Sequence, residues 1–456
     1  MAESISRKDK ILVSTLLVGA FLAVLNQTLA TSALPAIMAS LSISADTAQW
    51  LTSAYTLVYA IVIPLSSFLM KRFSTRKLFF GAYGALLAGS IVAALAPDFP
   101  ILLVGRLLQA VCVGVLTPLT MTVVMLVFPM EKRGVGMGIA NVVVGIAPAA
   151  GPLFAGVVTD YLGWHAMFAC VALIAVAVMV IAAFVLPNLS KGQAASLDIP
   201  SVLLCSLGLI FMLYGFGAVA SSENPAIPLC IAAGGIVVLG LFAHRQQGIG
   251  NPLLNLSILH KHAFRTGVVA ILVMQALFMG ASQLVPLLVQ QGLGQSATIS
   301  GLVVMPGALV GLVVSLLSGR IFDVLGVKAP TLIGAGALVA GFVGLAFAPQ
   351  SGLIALGFFM ALVTCGSMMA FTPLLTWGIN AIGQDSIADG NAISNTARQA
   401  STALGTALFV SLMSGASTWH GGATEGLFFG LQVAFVVELA LAAILFVWLA
   451  FSIRKS

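Results

Sequence analysis

Charge is what this chain has least of. Only 7% of its 456 residues are Asp, Glu, Lys or Arg and 60% are hydrophobic, against about 25% charged in an average soluble domain. That balance excludes a water-soluble fold. No G-x-x-x-x-G-K-[ST] phosphate loop occurs, which excludes an ATP-driven pump, and loops long enough to hold a soluble catalytic domain are missing. The five cysteines (Cys112, Cys170, Cys205, Cys230, Cys365) all fall in apolar runs with no C-x-x-C pair, so they read as small buried hydrophobes and imply neither disulfides nor a metal site. Within the apolar runs there is no Asp-rich motif, no paired metal ligands and no Ser/His/Asp set, so no enzyme is expected. The five histidines (His165, His244, His260, His262, His420) stand in loops or at span ends and read as solvated groups. The first apolar run is too long for a cleavable leader and leads straight into a second, so no signal peptide is expected.

What is present is a series of apolar runs, each near the roughly 20 residues needed to cross a bilayer. They fall near 11–34, 48–70, 78–96, 101–127, 136–158, 164–187, 199–219, 226–243, 264–290, 299–318, 330–348, 352–378, 389–413 and 426–450. Fourteen spans put both termini on one side. If that side is cytoplasmic, the inside segments hold 17 of the 19 basic residues and the outside loops none, the asymmetry expected of a cytoplasmic-membrane protein with its termini inside. The net charge of +6 is therefore a sorting signal and implies no nucleic-acid partner. All five tryptophans fall near span ends, as an aromatic belt requires.

The fifth span holds the stretch Asn141 to Gly156, NVVVGIAPAAGPLFAG. Pro148 and Pro152 each remove a backbone donor. Gly145, Ala149, Gly151 and Gly156 give small surfaces near helical spacing that let a second backbone approach. Such a segment is built to bend or to be packed against.

A repeat relates the two ends of the chain. Ser67 to Lys77, with Lys71, Arg72 and Arg76, forms a basic turn between spans 2 and 3. Eight spans later Gly319-Arg320-Ile-Phe-Asp323-Val-Leu-Gly326-Val-Lys328 does so between spans 10 and 11. The second copy resembles the G-x-x-x-D-x-x-G-x-K turn of the major facilitator superfamily. Asn141 to Gly156 is similar to the proline and glycine motif of its proton-coupled antiporters. Leu25 to Thr28 with Ala33-Leu-Pro35, Trp50 to Leu57, Gly105-Arg106-Leu-Leu-Gln109, Asn395 to Gln399 and Gly405 to Leu408 resemble the 14-helix drug:H+ antiporters of EmrB/QacA type, with the flavour of lincomycin-resistance exporters. The resemblance implies an all-α polytopic membrane protein of major facilitator fold: two six-helix bundles plus two extra central helices. The corresponding units are 1–190, 191–262 and 263–456, and Arg72, Arg76, Gly319, Arg320, Asp323 and Gly326 belong to cytoplasmic gating turns. The chain departs from the family in span 1, where Asn26 and Gln27 stand in place of a carboxylate, and in the first-half turn, where Lys71 and Ser74 replace Asp and Gly.

Charge inside a membrane costs roughly 2.5–3.5 kcal/mol per residue on insertion scales, so each instance needs a reason. Three residues qualify. Glu438, near the middle of the last span, could load and release a proton as its surroundings change, or could sit neutral against a helix partner. Arg398 shares a polar stripe with Asn391, Asn395, Gln399 and Thr402, which lines a cavity or seam or holds helices together. Arg106, with Gln109 one turn on, either supports proton transfer, as the resemblance implies, or anchors helices. Polar and polarizable groups on apolar faces are the cargo-site candidates: Tyr55, Tyr59, Gln109, Asn141, Gln275, Met279, Gln283, Met305, Phe371, Asn395 and Gln399. The resulting expectation is a monomeric antiporter that needs no cofactor, draws on the proton gradient and exports small amphipathic compounds through the bilayer. The alternatives are a dedicated exporter of one metabolite or antibiotic and a non-transporting membrane sensor.

Overall fold

The computed structural model describes residues 6–188, 197–219, 222, 224, 226–250, 252–347, 352–419 and 424–453; Lys191, His420, Arg454, Lys455 and the side chains of Pro148 and Pro152 lie outside the described set. Among the described residues fourteen long α-helices carry the chain: α1 (Arg7–Leu41), α2 (Ala45–Arg72), α3 (Thr75–Ala94), α4 (Phe99–Val127), α5 (Arg133–Leu162), α6 (Trp164–Val185), α7 (Ile199–Ala218), α8 (Ala226–Gly248), α9 (His262–Leu287), α10 (Ala297–Leu325), α11 (Lys328–Phe347), α12 (Leu353–Asn380), α13 (Ile387–Trp419) and α14 (Thr424–Ser452). With an even number of alternating helices, the start of α1 and the end of α14 lie at one face, called the terminal side; the other is the distal side.

Local chemistry sets the helix starts. Ser44, Ser74, Asp98 and Ser296 each accept a bond from a first-turn N–H of α2, α3, α4 and α10, satisfying a donor the helix cannot. Prolines 35, 64, 118, 286, 306 and 373 lie inside helices, as neighbouring helices in a membrane allow. The α5 segment, expected to bend or be packed against, runs as one helix through Arg133–Leu162. Cys112 and Cys205 are buried as expected, but Cys230 is exposed on α8. That position faces outward from an apolar helix, where hydrocarbon tolerates a thiol as well as a core does.

The first six helices pack chiefly on one another, and so do the last six. The pairs α1/α5, α1/α4, α2/α4, α3/α4 and α3/α6 recur eight helices later as α9/α13, α9/α12, α10/α12, α11/α12 and α11/α14. Two bundles of the same plan result. They meet along α5/α10 on one side and α2/α13 on the other, contacts that exchange when each helix is replaced by its counterpart. Helices α7 and α8 pair as a hairpin, and α7 lies against both α2 and α13, so it covers one of the two seams. Asp198 binds Arg245 through two 3.0 Å contacts at the hairpin's terminal end. Gln246 donates to Ser201 at 2.6 Å and accepts from the Leu254 N–H at 3.2 Å, which fixes the hairpin to the segment entering α9.

Candidate functional site

The two bundles are fastened to each other at the terminal side. At the end of α2, Lys71 Nζ lies 2.8 Å and 3.0 Å from the carboxylate oxygens of Asp389, in the first turn of α13, and Ser67 Oγ donates to the same carboxylate. On the other seam Asp323, near the end of α10, accepts the N–H groups of Gly134 and Val135 at 2.9 and 2.8 Å. Those N–H groups belong to the first turn of α5, where unpaired donors and the helix dipole favour an anion. Gly134 and Gly319 cross there: a Cβ on either would overlap the other's carbonyl oxygen. Three further bonds span the bundles, from Arg133 to Asn380 at 2.7 Å, Asn141 to Thr372 at 2.8 Å and Asn391 to Thr122 at 3.1 Å. All these residues stand in the terminal-side portions of their helices. Among the described residues, no side-chain hydrogen bond joins the bundles on the distal side. This is a conformation closed at the terminal face.

The expected gating residues divide between this closure and other work. Gly319 and Asp323 form it, and Gly326 turns the chain after α10 with φ of 74°, a left-handed conformation that glycine adopts without strain. Arg76 instead holds α6, donating to the Ala183 carbonyl at 2.6 Å and lying 5.7 Å from the Phe80 ring centroid. Arg72 and Arg320 are exposed. Asp389, Ser67 and Gly134 were not singled out from sequence. The signal available for Asp389 was a carboxylate one turn ahead of a polar helical stripe, which reads equally as an ordinary acidic N-terminus.

Arg106 is buried inside the first bundle. Its guanidinium donates to the carbonyls of Asn26 at 3.1 Å, Gln27 at 3.4 Å and Leu51 at 3.4 Å and to Gln109 Oε1 at 2.8 Å, and it stacks 4.3 Å from the Tyr55 ring centroid. Asn26 Nδ2 donates to the same Gln109 oxygen at 3.2 Å, and Gln109 donates to Ser90 at 2.9 Å. Span-1 carbonyls thus occupy the role a carboxylate would have beside this arginine. Asn26, Tyr55 and Gln109 are engaged in this knot of α1, α2, α3 and α4 and are almost fully buried.

Arg398 is placed differently. It is only partly covered, its guanidinium carbon lies 5.2 Å from the Phe371 ring centroid, and Tyr59 of the opposite bundle lies against it. Gln275 donates to Thr402 at 3.3 Å one turn along, and Asn395 is bonded back to the Asn391 carbonyl. The structure thus brings Tyr59, Phe371, Arg398, Gln275 and the α13 stripe to the middle of the α2/α13 seam. Gln399 and Met279 are partly covered, Gln283 is exposed, and Met305 is 48% exposed on an apolar stripe of α10 with Leu302 and Leu309.

Glu438 is fully buried, and neither carboxylate oxygen has a hydrogen-bond partner. It lies where a Cβ on Gly280 of α9 would collide with both its carboxylate and the Phe409 ring of α13. Arg398 stands eleven residues before Phe409, about 16 Å along the helix axis, so these two intramembrane charges lie at different depths. Of the glycines in the span-5 motif, Gly151 is the one packed closely: a Cβ there would overlap Thr28 Oγ1 of α1, whereas Gly145 only touches Leu312 and Gly156 meets nothing.

Residues 16–406 match the Major Facilitator Superfamily. The whole chain is 35% identical to the uncharacterised MFS-type transporter YcnB of Bacillus subtilis (strain 168), covering 98% of that protein. It is 32% identical to the lincomycin resistance protein LmrB of the same organism, over 88% of this chain and 85% of that one. Among solved structures it resembles the human organic anion transporter MFSD10 (TETRAN), with a TM-score of 0.69 at 16% identity over 97% of this chain and 99% of that one. The proton:xylose symporter XylE gives 0.61 at 16% identity over 98% and 96%. At such identity the structures speak for the fold, and the sequence match carries the family. Two bundles of one plan, joined by an extra helix hairpin and fastened across their seams at one face, fit that match: this chain belongs to the Major Facilitator Superfamily, a multi-pass membrane transporter and not an enzyme.

Proposed function

We propose that this transporter exports amphipathic, hydrophobic small molecules in exchange for protons. It would act as a monomer in the cytoplasmic membrane with both termini inside. The bundles, 1–190 and 263–456, would rock about a midplane site while 191–262 bridges them. Several features support this reading. The basic residues gather at the terminal side, the orientation rule for a cytoplasmic face. With that orientation the fastened face is the inner one, and the conformation described is poised to release cargo outward. LmrB, named for lincomycin resistance, is similar over most of the chain. No nucleotide-binding motif occurs in the sequence, so the energy source is an ion gradient or the cargo itself.

The observation that carries proton coupling is Glu438. A carboxyl at mid-membrane with no internal partner can hold a proton without a fixed counter-charge and release it when a rearrangement of α9 and α13 admits water. It stands one layer behind the seam, on a helix that packs on α9, α11 and α13, so helix rearrangement, not direct displacement by cargo, would couple the two. Cells carrying the protein should accumulate less of a lipophilic dye than cells without it. An uncoupler should abolish the difference, and Glu438→Gln should abolish it without lowering the amount of protein in the membrane. Equal accumulation with and without the protein would count against export altogether.

A further inference from the structure

Midway along the α2/α13 seam, beyond the Lys71–Asp389 pair at its terminal end, stands a cation with no carboxylate beside it. Arg398 stands near the middle of the membrane-crossing part of α13, partly open, with Phe371 beneath its guanidinium and Tyr59 beside it. Neither ring supplies a negative charge. Among the described residues the salt bridges are Lys71–Asp389 and Arg245–Asp198, and Arg398 takes part in neither.

The carboxylates nearest in sequence or depth are all committed or shielded. Asp389 lies nine residues earlier on the same helix, about 13 Å along its axis, and is held by Lys71 and Ser67. Asp323 accepts the first-turn N–H groups of α5. Glu438 is closed behind Gly280 and Phe409. The other intramembrane arginine, Arg106, is enclosed by carbonyls and also lacks a carboxylate. The groups surrounding Arg398 on α13 and α9 are uncharged: Asn395, Gln399, Thr402 and Gln275.

An arginine cannot shed its proton in a protein, and a charge in hydrocarbon is retained only with a partner or a water-filled path. We propose that the cargo supplies that partner: the seam binds an amphipathic organic anion, whose acidic head pairs with Arg398 and whose apolar body lies against Phe371 and Tyr59. A planar guanidinium forms two parallel bonds to a carboxylate, and with Phe371 against its face and Tyr59 hydrogen-bonded to it, others of its five N–H donors remain for an acid. An anion leaving an inside-negative cell also moves with the membrane potential. Outward transport of such a cargo therefore needs less from the missing span-1 carboxylate than export of a cation would. This inference rests on the export reading for its direction, but not for the charge of the ligand.

The test uses the full-length protein in nanodiscs of uncharged lipid and three fluorescent probes, a dansyl group on one undecyl chain ending in a carboxylate, a primary amide or an ammonium. The carboxylate probe should bind at least tenfold more tightly than the amide, and the ammonium probe most weakly. Arg398→Gln should bring the carboxylate-to-amide ratio to about one, and Arg398→Lys should restore part of the preference; a shared elution volume and melting temperature establish that both variants are folded. Equal binding of the three heads, a preference for ammonium, or a ratio unchanged in Arg398→Gln would each overturn the proposal. Vesicle transport separates the two readings. Carboxylate efflux insensitive to an uncoupler would remove proton coupling and keep this inference, whereas uncoupler-sensitive efflux confined to the ammonium probe would do the reverse.

Discussion

Lys71 and Asp389 meet across 318 residues of sequence at the same level of the molecule where Asp323 meets the start of α5. The two crossings are counterparts in the repeat, but their charges are exchanged. In the second bundle the carboxylate sits at the end of the turn-bearing helix α10 and the positive end is a helix N-terminus. In the first bundle the turn-bearing helix α2 contributes the cation, and the carboxylate has moved to the first turn of α13, where the dipole also favours it.

The exchange makes the lock testable by swapping charges. The pair is part desolvated, with the Lys71 side chain 37% and Asp389 2% exposed, so its coupling should lie between that of surface and buried pairs, about 1–3 kcal/mol. Asp389→Asn should raise the fraction of molecules open at the terminal side, read by spin-label distances between the ends of α5 and α10. Lys71→Asp combined with Asp389→Lys should recover much of the closed population, and each single reversal should not. No opening in Asp389→Asn would show that the α5/α10 crossing holds the face alone.

Gly134 and Gly319 let two backbones cross without side chains between them. Gly319→Val should prevent terminal-side closure, because the added atoms meet backbone and not a flexible side chain. Transport should fall at least tenfold while the protein still reaches the membrane, and a thiol reagent should label a cysteine placed at Val135 faster than in the parent. Normal transport by this variant would mean that the face closes elsewhere.

Much of the architecture is legible in the sequence, for reasons that do not extend to these crossings. Span number follows from runs of apolar residues, and the repeat from the basic turns at Lys71 and Arg320, both local features. Partner choice is not local. Arg106 was readable as an expensive charge, but its acceptors are the carbonyls of Asn26, Gln27 and Leu51, which every residue carries and no residue type marks. Asp389 was hidden for the opposite reason, since an acidic residue in a first helical turn is ordinary. Lys71, read from sequence as a departure from the family's turn, turns out to hold the crossing with its charge reversed.

Within the span-5 stretch, Gly151 is pressed on Thr28 of α1. Gly151→Ala should lower transport severalfold, and Thr28→Ala should rescue it only in part, because the Leu25 carbonyl would remain 3.2 Å from the new Cβ. Full activity of Gly151→Ala would show that α1 and α5 have room to separate.

The linker hairpin should be insensitive to pH over the cellular range. Arg245 holds Asp198 down at about 2, chiefly by hydrogen bonding. A depressed carboxylate contributes its stability above the unfolded-state value near 3.8 and loses it as pH falls through the folded value. The melting-temperature difference between the parent and Asp198→Asn should therefore stay constant from pH 8 to about 4 and shrink only below it. A difference that vanished between pH 7 and 5 would contradict the ion pair.

The central claim is exchange of cargo for protons through Glu438. Its most direct measurement is proton release on adding a transported compound to the purified protein in weakly buffered detergent solution. The account predicts a stoichiometric acidification that disappears in Glu438→Gln while the compound still binds. Binding with no proton release in the parent, or the same release from Glu438→Gln, would contradict it.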